Sequence, residues 1–126
     1  MADSVDRLYA AVLAARNADP ASSRTARLLR AGRSKMAKKL AEEAVVVFID
    51  AMHGSRDAVV SESADLLYNL VVLWVSSGVH PKDVWREMDR RERLFGIAEK
   101  LHKDGPENDA RRKVVTLESR RLHKRR

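Results

Sequence analysis

Two pairs of acidic residues stand beside apolar runs in this sequence. Glu42 and Glu43 precede the run AVVVFI, and Glu62 and Asp65 lie three residues apart, just before LLYNLVVLWV. At that spacing two side chains share one face of a helix, where like charges repel each other. A divalent cation would remove this repulsion, and oxygen ligands of this kind suit Mg²⁺. From spacing alone, the acidic residues fit either a magnesium site or ordinary solvated charges.

The segments that carry these residues have the pattern of helices. Apolar residues recur at helical spacing, and no alternating pattern is long enough to predict a sheet, so we expect an all-α fold. Three glycines, Gly32, Gly54 and Gly78, are placed to end helices. The predicted helices span approximately residues 4–16, 25–31, 34–52, 57–77 and 81–95.

An antiparallel arrangement of the third and fourth predicted helices would gather the acidic residues. Packing across the turn HGSRD would bring Glu43 level with Asp65, and Val46 level with Glu62. Three of these four inward positions are acidic. In that arrangement the two pairs contribute to one cluster.

The same two helices are apolar almost all the way round at one end. A helix that is apolar on every side is buried on every side, and a chain of 126 residues has too few helices to cover both. We therefore expect a homodimer or a larger homo-oligomer, with a compact monomeric bundle as the alternative. The longest apolar run, Leu66 to Val75, is shorter than the roughly 20 residues that cross a bilayer, so we expect no membrane association.

Composition indicates one domain followed by a charged tail. The chain has no cysteine, which excludes disulfides and thiolate metal sites and favours a cytoplasmic location. Its net charge of +7 arises within residues 111–126, which hold eight Lys or Arg and one Glu. We expect a helical domain over residues 1–103 and a basic, disordered tail over residues 104–126. The tail lacks interleaved aromatic residues, so it suits only non-specific binding of nucleic acid.

Three separated segments, in the same order, resemble one known family. Its stretch from Ser-x-Thr-x-x-Leu through Gly to Lys-Lys and Glu-Glu resembles SSRTARLLRAGRSKMAKKLAEEA, its Glu-x-x-Asp helix resembles VSESADLLYNLVVLW, and its Gly-x-x-Glu-Lys ending resembles RRERLFGIAEKLHK. The family is the phosphoribosyl-ATP pyrophosphohydrolases of histidine biosynthesis, within the MazG-like all-α nucleotide pyrophosphatases. The resemblance covers residues 4–103 and implies a MazG-like bundle of four to five helices, completed by oligomerisation.

The resemblance implies hydrolysis of phosphoribosyl-ATP between its α and β phosphates, which releases pyrophosphate and phosphoribosyl-AMP. It also implies that Glu43, Glu62 and Asp65 are the catalytic, Mg²⁺-holding residues, with Glu42 as a further candidate ligand. Magnesium lowers the pKa of water and neutralises phosphate charge, so this chemistry needs no covalent nucleophile.

The implied substrate-binding residues are Lys38, Lys39, Tyr68 and Asn69. The two lysines precede the acidic pair by one helical turn and would meet phosphate groups, as would Lys35. An exposed basic face is the alternative role for these lysines. For Tyr68, packing is the alternative to substrate contact.

Two positions depart from the family pattern. The family's first motif is Glu-Glu-x-x-Glu, and Val46 replaces its last glutamate; the usual DLLYH reads DLLYN here, so Asn69 replaces a histidine. Asparagine forms hydrogen bonds but does not titrate near neutral pH. Asp50 lies one turn beyond Val46, and this offset of about 5.4 Å is large compared with a coordination shell, so we expect no substitution by Asp50.

Three functions therefore remain open. The first is a magnesium-dependent phosphoribosyl-ATP pyrophosphohydrolase, slowed by the loss of a ligand at Val46. The second is a paralogue that binds nucleotides without efficient hydrolysis, or that hydrolyses another nucleoside triphosphate. The third is a helical interaction module whose basic tail binds polyanions.

Overall fold

The computed structural model describes residues 3–95. Within that range the chain forms five helices and no strand, which confirms the all-α prediction. The predicted tail, residues 104–126, lies outside the described residues. The helices are α1 (Ser4–Ala15), α2 (Arg24–Ala31), α3 (Arg33–Met52), α4 (Arg56–Ser77) and α5 (Pro81–Phe95).

Short polar side chains begin three of the helices. Asp3, Ser23 and Ser55 each accept a hydrogen bond from the backbone N–H three residues further on, in the first turns of α1, α2 and α4. A cap of this kind contributes about 1 kcal/mol to the stability of a helix. The sequence therefore determines where these helices begin.

Gly32 joins α2 to α3 without an intervening loop. Its backbone has φ 99° and ψ 164°, a region that is open essentially only to glycine. The last residue of α2 is Ala31, and α3 begins at Arg33. Gly32 is therefore the single residue that joins the two helices.

The core lies where α1, α3 and α4 meet. Val12, Met36, Val71 and Val72 are at most 2% exposed, and partly buried apolar residues of α1, α2 and α4 pack around them. Helices α3 and α4 form the most extensive packed pair and run antiparallel on either side of a short turn, residues 53–55. This hairpin is the element that carries the acidic residues.

The chain divides into two compact units after Val84. The first unit contains α1 to α4. The described residues of the second unit belong to α5. There Glu87 accepts hydrogen bonds from Arg90 and Arg91, which lie about one turn further along the helix. These hydrogen bonds lower the pKa of Glu87 to about 2.

Apolar side chains remain exposed on both helices of the hairpin. Phe48 and Met52 of α3 are 63% and 71% exposed, and α4 exposes Val60 and Leu67. On α3 the exposed residues recur at helical spacing, which defines the α3 apolar stripe: Val45, Phe48, Ile49 and Met52. These faces of the hairpin have no cover among the described residues of the chain.

By length and composition alone, α4 is apolar enough to cross a membrane. A core helix of a soluble protein has the same composition. Helix α4 carries Glu62 and Asp65 and contributes Val71 and Val72 to the core. Packing among the described residues buries 22% of this apolar window, and Val60 and Leu67 remain on the uncovered face of the hairpin.

Candidate metal centre and its surroundings

Three predicted site residues meet on the α3–α4 hairpin. Helix α3 provides Glu43, and α4 provides Glu62 and Asp65; one carboxylate oxygen from each lies within 4.8 Å of the others. Glu43 and Glu62 are partly buried, whereas Asp65 is exposed. The cluster is thus open to solvent on one side, where a substrate could enter.

The local sequence explains why the cluster forms. The short turn between α3 and α4 holds the helices antiparallel. Residues at similar distances from the turn therefore face each other. Glu62 and Asp65 share a face because they are three residues apart. The hairpin therefore directs acids from both helices toward one point.

Partial burial raises the pKa of Glu62 above its ordinary value, and neighbouring negative charge adds to the effect. After desolvation the causes are the charges of Asp65 and Glu43, a hydrogen bond shared with Glu43, and the charge of Asp50. Proton retention by Glu62 relieves repulsion within the cluster. A bound cation would relieve the same repulsion.

The cluster has the donor chemistry of a magnesium site. Mg²⁺ takes oxygen ligands at about 2.0–2.1 Å in an octahedral arrangement, so neighbouring ligands lie about 3 Å apart and opposite ones about 4.2 Å apart. The three carboxylates each place an oxygen within 4.8 Å of the others, close to the separation of opposite ligands. Three carboxylates also leave positions for water and for phosphate oxygens. The residues present therefore fit the ion.

Three neighbouring positions on α3 differ in their relation to the cluster. Glu42 is exposed and does not join it. Val46 brings no donor atom and is 36% exposed. Asp50 is partly buried and close enough for its charge to raise the pKa of Glu62. The sequence signal for Asp50 was its position seven residues after Glu43, which is two turns along the same face.

Asn69 and Tyr68 are engaged in contacts within the protein. Asn69 is 3% exposed, and its Nδ2 donates to the backbone carbonyl of Asp65 at 2.8 Å. Its Oδ1 is buried without a hydrogen-bond partner in the described part of the chain. The Tyr68 hydroxyl lies 2.7 Å from Oγ1 of Thr25, so this hydrogen bond ties α4 to α2.

The lysines proposed to meet phosphate groups have different surroundings. Lys38 is exposed and lines no described cavity. Lys35 and Lys39 line a cavity of about 510 Å³ between α2 and α3. Arg24 and Arg27 of α2 line the same cavity, and sequence reasoning did not identify them. Their three-residue spacing on one helix was the available signal.

The chain is similar to one protein family over most of its length. Residues 5–92 match the family described as PRA-PH, phosphoribosyl-ATP pyrophosphohydrolase. The chain is 63% identical over 133 residues to the phosphoribosyl-ATP pyrophosphatase 2 of Bradyrhizobium diazoefficiens, with 99% of each chain covered. It is 62% identical to the protein of the same name from Rhodopseudomonas palustris, with both chains covered completely.

A third relative, the phosphoribosyl-ATP pyrophosphatase of Granulibacter bethesdensis, is 52% identical over 96 residues, which are 76% of this chain and 60% of that protein. The chain belongs to the phosphoribosyl-ATP pyrophosphohydrolase family. Its fold and family are therefore those that the sequence motifs predict.

Proposed function

We propose that this protein hydrolyses phosphoribosyl-ATP to phosphoribosyl-AMP and pyrophosphate. Family membership and the names of two relatives that match the chain over nearly its whole length support this activity. The observation that carries the proposal is the meeting of Glu43, Glu62 and Asp65 on a solvent-accessible face of the hairpin.

In this proposal Glu43, Glu62 and Asp65 hold Mg²⁺ and are the catalytic residues. When bound, the ion would neutralise phosphate charge and lower the pKa of the attacking water. The protein's own contribution is to fix the positions of the carboxylates. Asn69 supports one of them, because its side chain binds the backbone carbonyl of Asp65 within α4.

Because Val46 replaces the last glutamate of the family motif, the site has one carboxylate fewer than that motif provides. Magnesium normally binds through few protein groups and keeps several waters, so three carboxylates suffice to hold it. Losing the fourth removes a charge and an orienting contact, and a misplacement of about 1 Å costs on the order of 100-fold in rate. We therefore expect slow turnover with metal binding retained.

Two further functions are less well supported. A paralogue that binds nucleotides weakly, or that acts on another nucleoside triphosphate, would keep the same cluster, and Val46 is the observation in its favour. An interaction module that acts through the basic tail would not require the acidic cluster. A measurement of which nucleotides the protein hydrolyses would separate these two functions from the first.

The proposal extends to assembly and location. The apolar faces left exposed on α3 and α4 fit a homodimer or larger homo-oligomer that completes the bundle. We propose a cytoplasmic protein with a helical domain over residues 1–103 and a basic tail beyond it. The tail would contact nucleic acid only non-specifically.

The activity is tested by pyrophosphate release from phosphoribosyl-ATP and from a panel of nucleoside triphosphates, each with and without Mg²⁺. The wild type should release pyrophosphate slowly, and only with the ion. Asp65→Asn should abolish release because it removes a ligand. Val46→Glu should raise it by about tenfold or more, since it restores the missing carboxylate.

Ala44→Glu is the matched control for Val46→Glu, because it adds the same charge at an exposed neighbouring position. It should leave the rate unchanged. The proposal is wrong if neither the wild type nor Val46→Glu releases pyrophosphate from any nucleotide, and if calorimetry detects no magnesium-dependent nucleotide binding.

A further inference from the structure

Asp50 is a carboxylate of α3 that lies beside the metal cluster without belonging to it. The cluster takes one oxygen each from Glu43, Glu62 and Asp65. Asp50 is not among the residues whose oxygens all lie within 4.8 Å of one another. Its charge nevertheless contributes to the raised pKa of Glu62. Asp50 is therefore near the cluster but outside its set of candidate ligands.

The burial pattern of α3 shows that Asp50 faces the same way as Glu43. In this part of the helix Glu43, Val47 and Asp50 are partly buried, whereas the residues between them are exposed. Steps of four and then three residues follow one face of a helix, and α4 is the element that packs most extensively against α3. Val46 is on the exposed side. Asp50 therefore lies on the face of α3 that meets α4, in line with Glu43.

No described lysine or arginine neutralises Asp50. Between Lys39 and Lys82 the sequence contains a single Lys or Arg, which is Arg56. Arg56 forms an ion pair with Asp57 at 3.2 Å, and both of these side chains are largely exposed. Within the described part of the chain, the Asp50 carboxylate has no ion pair, although it is partly buried. Its oxygens are therefore available to accept hydrogen bonds from water.

The distance that disfavours direct coordination by Asp50 suits a contact through water. Asp50 lies one helical turn beyond Val46, an offset of about 5.4 Å. Mg²⁺ binds oxygen at about 2.0–2.1 Å and normally keeps several waters. Such a water donates to a carboxylate at about 2.5–2.7 Å, so the accepting oxygen lies roughly 4–5 Å from the ion. This distance is comparable with the offset of one turn.

We propose that Asp50 is a positioning residue, which accepts a hydrogen bond from a water molecule in the coordination shell of Mg²⁺ and supplies part of the orientation lost with the glutamate that Val46 replaces. The inference rests on the proposed hydrolysis of phosphoribosyl-ATP. Asp50 touches neither the ion nor the substrate and acts through the water. Partners that orient the ligands of a metal typically contribute about 10- to 100-fold to metal affinity or activity.

The test is a double-mutant cycle between positions 46 and 50. Its four proteins are the wild type, Asp50→Asn, Val46→Glu and the combined variant. In the wild type, Asp50→Asn should weaken metal binding and lower kcat, each by about tenfold. In the Val46→Glu background it should cause no loss, because the restored glutamate takes over the orienting contact. There it also removes a repulsion between like charges four residues apart.

The measurements are the kcat for phosphoribosyl-ATP and calorimetric titration with Mn²⁺ in the absence of nucleotide. Mn²⁺ suits the same oxygen ligands as Mg²⁺. Asp57→Asn is the matched control, because it makes the same change near the same end of the hairpin at an exposed position. It should stay within about twofold of the wild type, since exposed charges are screened by salt. Melting curves in EDTA check that each variant folds.

Equal losses from Asp50→Asn and Asp57→Asn would overturn the proposal, because they would indicate a general effect of charge. Unchanged Mn²⁺ binding by Asp50→Asn would also overturn it, and so would an equally large loss in the Val46→Glu background. Failure of the proposed hydrolysis is distinguishable. If no variant turns over substrate, the Mn²⁺ titrations complete the cycle on their own. A loss confined to Asp50→Asn in the wild-type background supports the proposal, and any other pattern refutes it.

Discussion

Glu62 is partly removed from water and lies beside the negative charges of the other carboxylates of the cluster. Its pKa is raised, chiefly by partial burial and then by the charges of Asp65 and Glu43. A carboxyl group of raised pKa binds its proton more tightly in the folded protein than in the unfolded chain. Stability therefore falls as the pH rises from the unfolded pKa through the folded one, and the penalty is complete above the folded pKa.

Glu62→Gln should consequently raise the melting temperature of the metal-free protein at pH 8, because glutamine carries no charge to repel its neighbours. The gain should vanish below about pH 4.5, where Glu62 is protonated in both states. Thermal unfolding in EDTA over a pH series measures it. Glu42→Gln, an exposed neighbour outside the cluster, is the control. An equal gain in the control at pH 8 would contradict this account.

The sequence predicted the cluster because short-range geometry is enough to place it. Glu62 and Asp65 share a helix face by spacing alone, and the short turn brings Glu43 opposite them. The position of Asp50, seven residues after Glu43, places it on the same face of α3, but its effect on the pKa of Glu62 depends on side-chain conformation and on the crossing of two helices. The contact of Tyr68 with Thr25 joins residues 43 positions apart, for which no local pattern exists.

At the scale of elements, the helices were predictable because capping residues and glycines mark their ends. Ser23 and Ser55 begin helices, and Gly78 ends α4 in the left-handed region with φ 72°. The basic cavity was not predictable from these signals. Its two walls are joined at Gly32, whose backbone conformation a sequence permits without specifying.

Gly32→Ala tests this dependence. No atom lies within 4 Å of an added methyl group, so the cost comes from the backbone alone, at φ 99° and ψ 164°. Such a conformation costs on the order of 1–3 kcal/mol for a residue with a side chain, which lowers the melting temperature by several degrees. Relaxation of that strain changes the angle between α2 and α3, so KM for phosphoribosyl-ATP should also rise.

Gly54→Ala is the matched control for Gly32→Ala. Gly54 has φ 73°, in the left-handed region, where an alanine costs about 1–2 kcal/mol, and an added methyl group there has equally open surroundings. This variant lies in the turn between α3 and α4, away from the cavity, so it should lower the melting temperature, and any effect on activity should appear in kcat rather than in KM. If both variants raise KM alike, the conformation of Gly32 does not set the shape of the cavity.

At the scale of the whole molecule, the exposed α3 apolar stripe is the feature that the single chain does not explain. Phe48 is 63% exposed at its centre. In the proposed homodimer this ring is buried, and a charge placed there would lose its hydration without gaining a partner. Phe48→Lys should therefore raise the dimer dissociation constant by about tenfold or more.

Sedimentation velocity over a micromolar concentration series measures this effect. Ala14→Lys adds the same charge on an exposed position of α1 and should leave association unchanged. A wild-type protein that sediments as a monomer throughout the series would refute the homodimer.

Helix α3 is a single rod of 20 residues that carries the basic wall near its start, Glu43 at its middle and the apolar stripe toward its end. In a homodimer joined through that stripe, docking of the partner would steady the same rod that positions the metal ligand. The activity of each chain would then depend on the concentration of the protein, because dilution dissociates the homodimer. Flux through the reaction would rise more steeply than in proportion to protein abundance, and dilution would act as an inhibitor.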